Sequence, residues 1–339
     1  MAAPGCLQIR ERPDPECPPG GVVVAVKACG ICSVDARMVA KGHRDLVYPR
    51  ILGHEIVGTV VASQSLEFKV DDRVQVAPGL RCGTCRECQR GDDNHCLTRG
   101  IFGFSRDGGF AEYLPVPLQG DLVGALTKLP ENIDFASATL AEPLACCLNA
   151  QEKLGIKSGD TVLIIGAGPL GLLQAGAARA AGATSILFSE IDPRRRQRVA
   201  LPWGDHIFDP AVADPATVVM ELTAGKGADV LLLATSESSL DESFLTLLAS
   251  GGRVSIFSGL PVGLDRLALD LNLVHYRELV LAGAYGCTAR HNAAAIALLA
   301  GREMPFAELI SHRFSLAETV SGVELMKTKE AFKVIVEMK

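Results

Sequence analysis

Residues 161–190 read TVLIIGAGPLGLLQAGAARAAGATSILFSE, and the organisation of the whole chain follows from them. The run Val162-Leu163-Ile164-Ile165 is short, apolar and rich in β-branched residues, as a strand buried on both faces requires. It enters Gly166-Ala167-Gly168-Pro169-Leu170-Gly171 directly. Leucines and alanines then predict a helix that Gly182 stops, and Ser185 to Ser189 predicts a second strand ending at Glu190. Glycines at 166, 168 and 171 permit a tight turn and close approach of a pyrophosphate, which the helix N-terminus attracts through its N–H groups and dipole. Glu190, 19 residues after Gly171, is placed to accept from a ribose diol. A glycine turn alone is weak evidence. Strand, turn, helix, strand and acid in this order predict a doubly wound parallel-sheet (Rossmann) unit that binds a dinucleotide.

A chain of 339 residues exceeds one ordinary core, so two domains are expected. Lys plus Arg is 33 against 39 Asp plus Glu, a net charge of −6 that argues against a nucleic-acid surface or a polybasic membrane anchor. The basic run Arg194-Arg195-Arg196 directly follows the ribose acid and is either a solvated helix start or an adenosine contact. The N-terminus has neither a basic nor an apolar signal region, and no apolar run is long enough to span a bilayer, so a soluble, cytoplasmic protein is expected.

Eleven cysteines in such a chain point to thiol chemistry or metal binding rather than disulfides. Cys82, Cys85, Cys88 and Cys96 lie on a loop rich in Gly, Asp and Asn, where four thiolates can wrap a tetrahedral, closed zinc site. An iron–sulfur cluster is the competing reading, and the run lacks the proline and the fourth-cysteine spacing of bacterial ferredoxins. Cys29 and Cys32 could form a redox pair. No thioredoxin-like βαβ surrounds them, however, and His54-Glu55 supplies nitrogen and carboxylate ligands on the same side of the chain. Glu142, in an apolar helical stretch, needs a partner because burying it alone is costly. Further strands are predicted at Asp229 to Ala234, Arg253 to Phe257, Glu278 to Ala282 and Phe332 to Glu337, with helical segments at Ser239 to Leu248 and Ala293 to Leu299.

Cys32, His54-Glu55, the four-cysteine loop, Glu142-Pro143-Leu144 and the glycine turn, in this order, resemble the zinc-dependent medium-chain alcohol dehydrogenases. Glu142-Pro143-Leu144 and Ile310 to Phe314 resemble the sorbitol, threonine and cyclitol dehydrogenase branch. The resemblance runs from about Leu7 to Lys339. It implies a GroES-like β-rich catalytic domain built from both chain ends, residues 1–149 and 289–339, around a Rossmann cofactor domain at 150–288. It implies a catalytic zinc on Cys32, His54 and Glu55, with Glu142 bound directly or through water, and a structural zinc on Cys82, Cys85, Cys88 and Cys96. NAD contacts are implied at Leu170, Glu190, Arg195, Ser258, Gly259, Leu260, Ala284 and Tyr285, besides Gly166, Gly168, Pro169 and Gly171. The implied activity is hydride exchange between NAD and a secondary alcohol of a small polar substrate, in a dimer or tetramer. A zinc-free quinone or enone reductase, or a non-catalytic NAD-binding regulator, are the alternatives. Val34 stands where the family usually carries a hydroxyl for proton relay, and Arg37, Met38 and Gly286 depart from the polyol pocket.

Overall fold

The computed structural model describes every residue except 97–99, 118–124, 200–201, 236–241, 261–264 and 329, so the first residues of the expected Ser239 to Leu248 segment lie outside the described residues. The chain forms two compact units, Met1–Ala145 with Cys287–Lys339, and Cys146–Gly286.

The unit made from both chain ends is built on a sheet in which Ile310–Ser315, Lys333–Glu337, Val22–Ile31, Glu55–Ser63, Arg73–Val76 and Leu126–Lys128 lie side by side, with Tyr113–Val116 also pairing Val22–Ile31. The pairs are antiparallel except Ile310–Ser315 with Lys333–Glu337. Val22–Ile31 is the central strand. Its inward residues Val22, Val24, Val26 and Ile31 are at most 2% exposed and share a core with Ile56, Val60, Val74 and Val76. Such burial contributes about 1.5–3 kcal/mol per side chain. Register places Gly30 opposite Glu55 on one side and Ile335 on the other.

The second unit carries six parallel strands in the order Val280–Gly283, Leu248–Ile256, Ala228–Leu233, Thr161–Ile165, Ser185–Ser189, His206–Phe208. The order reverses between Thr161–Ile165 and Ala228–Leu233, the switch point outside whose carboxyl ends such sheets bind dinucleotides. Helix Pro169–Ala180 buries Leu172, Leu173, Ala175, Ala177 and Ala178. It can start this close to the sheet because position 171 is glycine: a Cβ there would overlap the Gly166 carbonyl oxygen. Gly166 itself has φ 100°, which disfavours any other residue. The sequence places four of these strands within two residues, whereas Leu248–Ile256 begins five residues before Arg253 and His206–Phe208 has no sequence expectation; helix Ala289–Gly301 begins four residues earlier than Ala293. There a capping box between Thr288 and His291 starts the helix, a signal weaker in sequence than the alanine run that follows.

Candidate active site and metal centres

Cys32 is the N-cap of helix Ser33–Lys41. Its backbone N–H donates to Asp35 Oδ2 at 2.9 Å, so Asp35 fixes the turn that presents the thiol. Asp35 is fully buried, and its other oxygen lies 3.6 Å from His54 Nδ1. His54 follows Gly53, whose φ of 91° and contacts within 3 Å of Phe110 and Cys29 leave no room for a side chain. Glu55 opens strand Glu55–Ser63, so His54 and Glu55 are set by the register of that strand on Val22–Ile31. One ligand atom from each of Cys32, His54 and Glu55 falls within 4.8 Å of the others.

Beneath this set lies a second charge. Lys333 Nζ donates to Glu55 Oε2, with the two side chains 6% and 1% exposed. Gly30 makes this possible, because a Cβ there would overlap the Glu55 carboxylate and touch Lys333. Burial alone would lower the Lys333 ammonium, yet Glu55, with Cys32 and Glu142 nearby, holds it above its ordinary value. Burial would likewise lower His54, and the Asp35 carboxylate reverses this and holds the imidazole well above its usual range. Sequence reading passed over Asp35 and Lys333. The signal for Asp35 was the capping spacing three residues after Cys32; for Lys333, 278 residues from Glu55, there was none.

Asp35 Oδ1, His54 Nδ1 and Glu55 Oε1 are buried without a hydrogen-bond partner among the described residues. Of these, Asp35 Oδ1 and His54 Nδ1 face one another, while the open Glu55 oxygen beside a thiol and an imidazole is costly unless a cation completes it, and a sulfur, nitrogen and oxygen set suits zinc. The donor chemistry therefore fits the metal. Glu142, second in helix Ala141–Leu154, is half-buried and does not join the three-residue set, although it is close enough to raise Lys333.

The four-cysteine loop gathers Cys82, Cys85, Cys88 and Cys96 with their sulfurs within 4.8 Å of one another. The Cys82 N–H donates to Cys96 Sγ at 3.4 Å and the Cys85 N–H to Cys82 Sγ at 3.3 Å, the kind of donors a thiolate shell needs. Burial and the neighbouring thiols push Cys88 up to about 12, so the cluster is uncomfortable as anions until a divalent cation joins it. Asp93 ties the loop down, accepting from Arg81 at 2.7 Å and from the Ala289 N–H at 3.3 Å. None of the cysteines is in a disulfide, and Cys29 is fully buried, which pushes its thiol well up.

In the other unit, both oxygens of Glu190 are engaged. Oε2 accepts from the Ala167 N–H at 2.7 Å, and Oε1 accepts from the Asp192 N–H at 2.8 Å. Glu190 is thereby held against the glycine turn, 6% exposed. Arg195 lies over Gly168, 3.3 Å from where a Cβ would stand. Gly168 caps helix Pro169–Ala180, with Pro169 at its first position and Leu170 next. Ser258, Gly259 and Leu260 follow strand Leu248–Ile256, and Ala284 and Tyr285 follow Val280–Gly283. All these residues gather at the carboxyl ends of the parallel strands. Val34 packs against the core, Met38 is fully buried in it and Arg37 is exposed, so Met38 is a packing residue rather than a pocket anchor.

Comparison with known proteins matches residues 18–130 to the alcohol dehydrogenase GroES-like domain and residues 169–301 to the zinc-binding dehydrogenase model. A D-altritol 5-dehydrogenase of Agrobacterium fabrum is 33% identical over 93% of this chain and 91% of its own. An L-threonine 3-dehydrogenase of Pyrococcus horikoshii is 33% identical over 95% and 92%. A zinc-binding dehydrogenase of Sinorhizobium meliloti 1021, solved bound to NADP, superimposes with a TM-score of 0.88 at 31% identity, over 98% of this chain and 96% of that one.

Proposed function

We infer, since this chain belongs to the zinc-dependent medium-chain alcohol dehydrogenases of the polyol branch, that it interconverts a secondary alcohol of a small polar substrate and its ketone with NAD. The observation that carries this reading is the Cys32, His54 and Glu55 set, its histidine and carboxylate buried and one Glu55 oxygen left without a hydrogen bond. These residues would hold the catalytic zinc, with Glu142 approaching it through water, and Cys82, Cys85, Cys88 and Cys96 would hold the structural zinc. Zinc held there would supply Lewis acidity at the alcohol oxygen, and NAD would supply the hydride acceptor. Asp35 orients His54, and Lys333 holds one Glu55 oxygen so that the other faces the site. Val34 offers no hydroxyl, so the alcohol proton leaves through water held by Glu142 or Ser33. The test is an oxidation panel of polyols, cyclitols, amino alcohols and short diols with zinc-loaded protein and NAD. A compact secondary alcohol is expected to outperform sorbitol; sorbitol as the best substrate, or no turnover of any member, would sink the reading.

NAD is proposed over NADP because the Glu190 carboxylate, pinned by two backbone N–H groups, stands where a 2′-phosphate would bring like charge. Arg195 is the counterweight, and the Sinorhizobium meliloti relative was solved bound to NADP. Catalytic efficiency with NAD is expected to exceed that with NADP by about tenfold, a like-charge cost of about 1.4 kcal/mol. Glu190→Ser should close the gap, and equal efficiencies in the parent protein would overturn the assignment.

A homo-oligomer is supported by the outer strand Val280–Gly283 of the parallel sheet. Val280 is 47% exposed there, and Leu271 and Tyr276 on the neighbouring helix Leu271–Tyr276 are 72% and 80% exposed. An apolar sheet edge of this kind pairs with its own copy across a two-fold axis. Val280→Lys is expected to shift the protein to monomer in light scattering, and an unchanged mass would place the contact elsewhere. Cysteines held outside disulfides support residence in the cytoplasm. No helix among the described residues is long and apolar enough to cross a membrane.

A further inference from the structure

Three rings run outward from the metal-binding set. The Phe104 ring lies 5.3 Å from that of His54, tilted by 56°, and the His43 ring lies 5.3 Å from Phe104, edge-on at 76°. The arrangement is held by backbone. Phe104 sits on a turn in which the Ile101 carbonyl accepts from the Phe104 and Arg106 N–H groups, and Ile101 N–H donates to Ser105 Oγ at 3.0 Å. Gly103 in that turn is pressed against Gly53, the residue before His54; a Cβ on it would stand 2.9 Å from the Gly53 carbonyl oxygen. Phe104 is therefore fixed relative to His54 by main chain.

His43 is oriented as well. Its Nδ1 accepts from the Asp45 N–H at 3.2 Å, and its carbonyl accepts from the Leu46 N–H at 3.1 Å. The Asp45 carboxylate is the charged group facing it, 3.8 Å from Nδ1. A ring that accepts at Nδ1 carries its proton on Nε2. The side chain is 35% exposed, so a ligand can reach the ring. The helix before it offers little competition: Val34 is apolar, Met38 is buried and Arg37 is turned to solvent.

We propose that His43 is a specificity-determining residue, whose Nε2–H donates to a hydroxyl remote from the reacting carbon of a compact polyol, while Phe104 packs on the apolar carbon frame between the two oxygens. The proposal rests on the zinc dehydrogenase reading, which fixes where the reacting oxygen sits. It deepens that reading by requiring a second oxygen several carbons away, as a ring bearing hydroxyls on opposite carbons provides. A site that pairs a hydroxyl discriminates against the analogue lacking it, because the site's own donor is then left without a partner.

Cyclohexanol and trans-1,4-cyclohexanediol differ only in that remote hydroxyl. With zinc-loaded full-length protein and NAD, the diol should have the lower KM. His43→Phe, which keeps a ring on Phe104, should raise KM for the diol by about fivefold, the worth of one uncharged hydrogen bond. It should leave kcat for both alcohols, KM for cyclohexanol and zinc content unchanged. His43→Gln, which restores an N–H donor, should recover part of the loss. Calorimetric affinity for the diol should fall by the same factor in His43→Phe. An equal effect on both alcohols, no effect on the diol, or a parent protein that does not prefer the diol would overturn the proposal. A parent that binds the diol in a His43-dependent way but oxidises neither alcohol would instead remove the dehydrogenase reading and leave the subsite standing.

Discussion

Replacing Cys32 by serine is expected to leave a folded protein with one zinc per chain instead of two, and turnover reduced at least a hundredfold. Lewis-acid stabilisation of this kind is worth several kcal/mol, each 1.36 kcal/mol being a factor of ten. The fold should survive, because residue 32 caps helix Ser33–Lys41 through its backbone N–H, which donates to Asp35 and which serine retains. Cys85→Ser should behave in the opposite way. Helix Arg86–Gln89 inside the four-cysteine loop buries no residue, so the loop has little apolar packing to replace a lost metal bond. Metal binding there is folding free energy. A large fall in thermal midpoint and loss of soluble protein are expected, with the surviving fraction still binding NAD. Elemental analysis and thermal unfolding of the two variants check this together. A single zinc in the parent protein, unchanged by Cys32→Ser, would show that Cys32, His54 and Glu55 hold no metal.

The second large effect is expected at Lys333, far from Glu55 in sequence and paired with it in the core. Lys333→Met leaves a buried carboxylate without its counter-charge, a change that costs about 3–5 kcal/mol. Adding Glu55→Gln should recover much of that stability, since removing both charges of a buried pair costs far less than removing one. The double variant should nevertheless hold the catalytic zinc weakly, having lost the carboxylate proposed to bind it. Zinc should also protect Lys333→Met more than it protects the parent, because the cation supplies the charge that Lys333 gave. Chemical denaturation with and without zinc measures all four terms. A Lys333→Met variant as stable as the parent would show that the pair contributes nothing to the fold.

The sequence by itself determined the parallel-sheet unit, because its evidence is local. Strand, glycine turn, small-residue helix and Glu190 occupy thirty consecutive residues, and hydrophobic period and backbone freedom dictate each of them. The four-cysteine loop was legible for the same reason: its ligands lie close along the chain. Cys32 and His54-Glu55 were legible as ligand types, but their meeting was not, since it depends on the register of Glu55–Ser63 against Val22–Ile31. Tertiary structure alone decided the Glu55–Lys333 pair, which needs the last strand of the chain to pair with the first and a glycine between them. It also decided that Met38 is core and that His43 joins Phe104 and His54. A helix face and a loop contact are set by what packs against them, and those partners are dozens of residues away. Local order fixes what a segment can become, while long-range pairing fixes which of its side chains meet, and the substrate end of this site belongs to the second kind.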